Sequence, residues 1–211
     1  ATHIAIVEDI SARKESEEVI KKSEIRFKSL FEDSPFPLWE EDFSEVKNYL
    51  EKLNLINERP ETVSLYFITH PDVVDKCISL LKIIDVNAMC LKLHKVKTKE
   101  ELIIGLSQFI DEKSISAVIT QLIAITQGEK KLILDTKIKN SKGEYRDINL
   151  RWNVIHGYEK TFERIIVSTE DITDRKSSEN NILKSKQRTE SLINNIDGIV
   201  WECDVKSLNF N

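Results

Sequence analysis

The side chains able to do chemistry are sparse, and the most organised of them occur twice. One stretch reads Glu8-Asp9-Ile10-Ser11-Ala12-Arg13-Lys14 and the other Glu170-Asp171-Ile172-Thr173-Asp174-Arg175-Lys176. Each follows a β-rich apolar run and precedes a charged segment with helical spacing. A carboxylate, a hydroxyl and a guanidinium in this order suit a junction rather than a turnover site. Ser11, Thr173 or Asp174 can accept a hydrogen bond from the free N–H groups of a starting helix. Asp9 and Asp171 can accept from backbone or basic side chains, as the neighbouring Arg13 and Arg175 allow. Their charge also suits the positive end of a helix dipole. Spacing alone leaves two readings open, a plain helix cap and a rigid hinge that couples a strand to a helix.

The remaining candidates are isolated. The three cysteines, Cys77, Cys90 and Cys203, show no CxxC spacing, so neither a zinc site nor a disulfide framework is expected, and a reducing cytoplasm is the natural setting. No glycine-rich phosphate loop, HExxH or GxSxG motif occurs, and no histidine lies in a phosphoacceptor-like helix. The sequence therefore points to no enzyme in this stretch. Net charge is −5, against nucleic acid as the main partner. No apolar run approaches the ~18 residues a membrane span needs. With 40% apolar and 32% charged residues the composition is that of a globular chain.

The elements that must position these groups follow from periodicity. Asp171 lies 162 positions after Asp9, and the offset then holds through Ser16/Ser178, Ile20/Ile182, Arg26/Arg188, Leu30/Leu192, Trp39/Trp201 and Asp42/Asp204. One repeat unit with a piece of a neighbour at each end is the expectation. Residues 3–10 read as a strand and 12–32 as a helix with a narrow apolar stripe (Ile20, Phe27, Leu30), either a surface helix or half of a short coiled coil. Leu38–Asp42 reads as a strand. A helix capped by Ser44 is expected to run to Pro60, a second to span 61–68, and a third to start at a Thr69–Asp72 capping box. A short strand at 82–86 is followed by a turn capped by Asn87, a helix capped by Thr98, and an amphipathic helix 114–127 stopped by Gly128. Leu132, Leu134, Thr136 and Ile138 alternate on a strand. Asn140–Gly143 forms a hairpin turn, and Ile148, Leu150, Trp152 and Val154 return. Arg164–Thr169 is the last strand, 173–193 a second charged helix, and 198–205 a repeat of the first strand.

Taken in order, these motifs resemble a family. Ser23-Glu24, Arg26-Phe27 and Leu30-Phe31 leading to Ser34-Pro35 are similar to the start of a PAS domain. Lys142-Gly143-Glu144-Tyr145, then strand–turn–strand and Asp171-Ile172-Thr173, resemble its C-terminal PAC motif. The resemblance implies an α+β fold, a five-stranded antiparallel sheet with helices on one face. It implies a complete domain at 33–176, linker helices at 15–32 and 177–193, the end of a preceding unit at 1–14, and the start of a following unit at 194–211. The block 44–81 is a longer helical insertion than the family usually carries. Tandem PAS domains of this kind are sensory or relay modules of cytoplasmic signalling proteins, often histidine kinases. The partners implied are adjacent PAS units and a second copy paired through the linker helices. The coupling hinge would be Asp171, Thr173 and Arg175, with Asp9, Ser11 and Arg13 in the first copy. If a ligand cavity exists, Ile84, Ile119, Ile123, Leu134, Thr136 and Trp152 would be its walls; a packed core without ligand is the alternative, leaving a scaffold that dimerises or spaces its neighbours. No cofactor is expected. Haem sensors of the family offer a histidine from the helix here at 114–127, which has none, so His70 and His94 are expected as capped or surface residues. The flavin-adduct Asn-Cys-Arg-Phe motif is absent, which leaves Cys90 as a buried structural thiol.

Overall fold

The computed structural model describes residues 11–194. The chain divides into two units, 1–171 and 172–211. The strands expected at 3–10 and 198–205, and Asp9 with them, lie outside the described residues.

The first unit opens with α1 (Ser11–Glu32) and then builds β1 (Leu38–Asp42), β2 (Lys82–Val86), β3 (Lys131–Lys139), β4 (Tyr145–Val154) and β5 (Ile165–Asp171) into one antiparallel sheet of order β2-β1-β5-β4-β3. The β3–β4 hairpin pairs Leu132 with Trp152, Leu134 with Leu150 and Thr136 with Ile148, as the alternation predicts. Its turn closes at Gly143, whose φ of 79° a side chain would strain.

One face of the sheet is polar and wet. Asn149 bonds Asp135 at 2.8 Å, Lys137 pairs with Asp147 at 2.7 Å, and Arg164 binds the Glu40 carboxylate. The other face is covered by α2 (Ser44–Lys52), α3 (Pro60–Thr69), α4 (Pro71–Leu80), α5 (Ala88–His94), α6 (Lys99–Phe109) and α7 (Ile115–Thr126). Trp39, Trp152 and Val167 from the sheet, with Phe43 just after β1, meet Val46, Leu50, Val63, Phe67, Val74, Leu102 and Ile125 from the helices in one core. This is the α+β architecture that the sequence implies. The helical block 44–81 is part of that core, since α2, α3 and α4 bury Val46, Leu50, Val63, Phe67, Val73, Val74 and Cys77.

Local chemistry explains the elements and three departures from expectation. Asn87 and Thr98 cap α5 and α6 by accepting from Cys90 N and Glu101 N. The helix expected to reach Pro60 ends at Lys52 instead. Asn54 takes a left-handed φ of 56°, its N–H closes on Glu51 O, and Leu55 N–H closes on Leu50 O, a Schellman stop. Thr69 does not cap α4. Its hydroxyl donates back to Leu65 O at 2.9 Å within α3, and His70 takes the cap position without a side-chain bond. Ile84 is 43% exposed because β1 and β2 slip register between Glu40 and Glu41, where a bulge turns it outward and brings Ile83 against the core.

The second unit contributes α8 (Thr173–Asn194), closed at its start by Lys176 N–H to Ile172 O at 2.9 Å. Arg175–Glu179 and Lys186–Glu190 stand four residues apart along it, both at 3.9 Å.

Candidate functional site

A cavity of about 140 Å³ lies between the inner face of the sheet and the helices. Trp39 and Glu41 of β1 with Phe43 just beyond it, Thr136 and Ile138 of β3, Ile148 and Leu150 of β4, and Val167 and Thr169 of β5 form its floor. Cys77, Ile78 and Leu81 of the α4 region, His94 of α5, Phe109 at the end of α6, and Val118 and Leu122 of α7 form its roof. A cavity near 150 Å³ has room for a body the size of benzene.

Ser114, Gln121, Thr136 and Lys137 add polar groups to this lining, and three further polar side chains are buried in it. Glu41, His94 and Thr169 are only 8%, 4% and 5% exposed. The His94 Nδ1 and Thr169 Oγ1 atoms have no hydrogen-bond partner among the described residues. Burial pushes the Glu41 carboxyl up to about 8, because the charged form is poorly solvated there. Burial likewise pushes His94 down to about 4, which keeps the imidazole neutral. The Cys77 and Cys90 thiols are raised by burial to about 12 and stay protonated.

The positions of these groups follow from local structure. Strand alternation places Glu41 on the same face as Trp39 and Phe43, and Thr169 on the same face as Val167. His94 is the last residue of α5, one turn beyond the buried Cys90. Left-handed Lys95 (φ 56°) ends that helix, Val96 N–H closes on Leu91 O, and Ser141 N–H holds the His94 carbonyl at 3.0 Å. Trp39 meets the imidazole edge-on at 5.3 Å and Phe109 lies 5.1 Å from it. His94 is thus a buried cavity residue, not the surface or capping histidine that the sequence suggests. His70 is exposed, with its Nδ1 3.0 Å from Tyr66 O.

Of the wall residues expected from sequence, Thr136 lines the cavity. Trp152 is fully buried in the core beside Phe43 and Phe162, and Ile119 and Ile123 pack against that core. Leu134 is half-buried on β3. Ile84 points away from the core, which corrects its expected role. Glu41, His94 and Thr169 were missed. Their signal is legible in hindsight, since each stands two or four residues from a core side chain on the same face.

The residues of the expected hinge lie at the ends of elements. Asp171 is the last residue of β5, and Arg146 approaches its carboxylate at 3.8 Å. Thr173 opens α8, and Arg175 lies in its first turn. Ser11 opens α1, with Arg13 in the same first turn. No group of three or more metal-ligating side chains occurs among the described residues, and no described helix is long and apolar enough to cross a membrane.

No family model matches the sequence, and no curated protein does. Solved PAS domains resemble the structure. The PAS domain of an HTR-like protein from Haloarcula marismortui shares 15% identity at a TM-score of 0.46, over 75% of this chain and 99% of that one. The PAS domain of a Colwellia psychrerythraea protein shares 13% at 0.45, over 74% and 98%. A sensory box histidine kinase/response regulator from Burkholderia thailandensis shares 12% at 0.47, over 79% and 98%. Five antiparallel strands in the order β2-β1-β5-β4-β3 with helices on the inner face are an α+β arrangement consistent with the PAS fold.

Proposed function

We propose that the chain is a sensory and relay module of a signalling protein. A small molecule held in the inner-face cavity would bias the sheet, and the bias would pass along β5 to the Asp171–Arg175 hinge. The observation that carries this reading is the cavity itself, where buried His94 and Thr169 offer polar atoms without partners among the described residues. Such groups are costly to bury and are ordinarily satisfied, so two of them on residues that line one cavity support a ligand there. β5 links the two ends of the relay covalently. It presents Val167 and Thr169 to the cavity and ends at Asp171. The chain carries no turnover chemistry of its own in this reading. Its output would lie in another part of a cytoplasmic parent, for which the family resemblance implies a histidine kinase.

Native mass spectrometry against the denatured mass tests this reading. An added mass that is lost on denaturation supports the sensor. Bare protein that also stays bare after exposure to small-molecule mixtures argues for a scaffold.

One observation favours that second reading. Val19, Ile20, Phe27 and Leu30 on α1 are 52–66% exposed, and the equivalent Ile182 and Leu192 on α8 are 70% and 59% exposed. Apolar stripes of this spacing suit pairing with a second copy. The same spectrum reads it directly, as a dimer that dissociates when Ile20 and Leu30 are replaced by serine.

A further inference from the structure

We propose that the cavity takes a small organic amine, with its ammonium group on Glu41, His94 and Thr169 and its apolar body against Trp39, Phe43 and Leu150. The proposal rests on the ligand-binding reading above and names the class of ligand.

The lining selects by charge. Glu41 is a carboxyl at the base of an apolar cavity, and no cation among the described residues neutralises it. The cations near its end of the sheet are already committed. Lys99 sits 2.6 Å from Glu32 and 2.7 Å from Asp85, Lys137 sits 2.7 Å from Asp147, and Arg164 binds Glu40. A ligand carboxylate or phosphate would enter this apolar space without a free cation to offset its own desolvation. A ligand cation supplies the missing partner.

The lining also selects by hydrogen bonding. A primary ammonium has three donors and no acceptor. Glu41, His94 and Thr169 line the cavity, and the enclosed, unpartnered His94 Nδ1 and Thr169 Oγ1 atoms would turn toward a bound ammonium by side-chain rotation, beside a Glu41 oxygen. The aromatic rings of Trp39, Phe43 and Phe109 line the same space, and ring faces attract a desolvated cation. Volume sets the size, since about 140 Å³ admits roughly six heavy atoms, the bulk of benzene.

Seating the cation requires an ionised Glu41. The titratable groups facing it are Cys77 on α4, Cys90 and His94 on α5, and Lys137 at the β3 edge. Both thiols and the imidazole are neutral at pH 7, and Lys137 holds its ion pair. Glu41 is therefore the group that loses a proton when an amine binds, and that proton passes to the buffer.

Titration calorimetry with matched probes tests the proposal. Cyclopentylamine and isobutylamine are compared at pH 7 with cyclopentanol and isobutanol, in two buffers of different ionisation enthalpy. The amines are expected to bind about tenfold tighter than their alcohols or better, a difference of roughly 1.4 kcal/mol. They are also expected to release close to one proton, whereas the alcohols release none. Glu41→Gln should abolish both the preference and the proton release. Thr169→Val, which keeps shape and removes the hydroxyl, should weaken the amines about tenfold and leave the alcohols nearly unchanged. Alcohols that bind as tightly as the amines overturn the amine assignment and leave the ligand-sensing reading standing. If neither class binds the folded protein, both readings fall together.

Discussion

Glu41 and His94 titrate in opposite senses, and this gives the domain an unusual stability profile. The folded-state value of Glu41 is raised from 4.5 to about 8, so the folded protein binds more protons than the unfolded chain across that interval. Stability is therefore lost as pH rises from 4.5 through 8. His94 is lowered from 6.5 to about 4, so there the unfolded chain binds more protons and stability is gained as pH rises from 4 to 6.5. A one-proton difference between folded and unfolded chains is worth about 1.36 kcal/mol for each step of one in pH, so each group changes stability by about 2 kcal/mol between pH 4.5 and 6.5. The two contributions nearly cancel there. Above 6.5 the Glu41 loss dominates, and the net decline amounts to about 1.5 kcal/mol by pH 8.5. Urea unfolding of the wild type at half-unit pH steps should thus give a plateau followed by a decline. Glu41→Gln keeps the shape of the side chain and removes its titration. In that variant the decline above pH 6.5 should vanish, and the His94 rise below it should emerge uncompensated. A wild-type profile that stays flat from pH 6.5 to 8.5, or a Glu41→Gln profile that keeps the decline, refutes the assignment of a buried, unpaired carboxyl to this position.

Other perturbations separate the parts of the molecule. Asn87 accepts from Leu38 N and Cys90 N and donates to Phe31 O and Phe36 O, so Asn87→Ala should cost roughly 3–5 kcal/mol in urea unfolding by orphaning buried backbone groups. Phe67→Ala should cost about 3–5 kcal/mol through a core cavity, whereas Ile84→Ser on the outward bulge should change stability by less than about 1 kcal/mol. Asp171→Ala removes a half-exposed pair with Arg146 at 3.8 Å and should cost less than about 1 kcal/mol. Its expected effect is on output in the full-length protein, and normal signalling by that variant would refute the hinge's coupling role.

Much of the fold was legible because its rules are local. The hairpin register followed from the alternation of Leu132, Leu134 and Thr136, and the caps of α5 and α6 from Asn87 and Thr98. The departures arise where two local rules compete or where pairing decides. Leu53 and Ile56 continue a helical stripe, yet the left-handed Asn54 and Asn57 stop the helix earlier. The bulge that expels Ile84 depends on how β1 meets β2, which neither strand encodes alone. The buried polar lining of the cavity was missed for a different reason. Glu41 follows Glu40 and precedes Asp42, so it reads as part of an acidic, solvated edge, although Trp39 and Phe43 on either side fix it inward. Polar side chains are ordinarily assigned to water. Only the tertiary packing reveals that these three were not.

The helical block between β1 and β2 has a consequence beyond stability. It supplies Cys77, Ile78 and Leu81 to the roof of the cavity, while the sheet supplies the floor. On the proposed reading, β5 would both touch the ligand, through Val167 and Thr169, and carry its effect onward, whereas 71–81 would only shape the roof. Substitutions in 71–81 would then adjust the shape admitted while β4 and β5 keep their register. Variation among descendants should accordingly be greater in α4 than in β5, where one strand would serve both tasks.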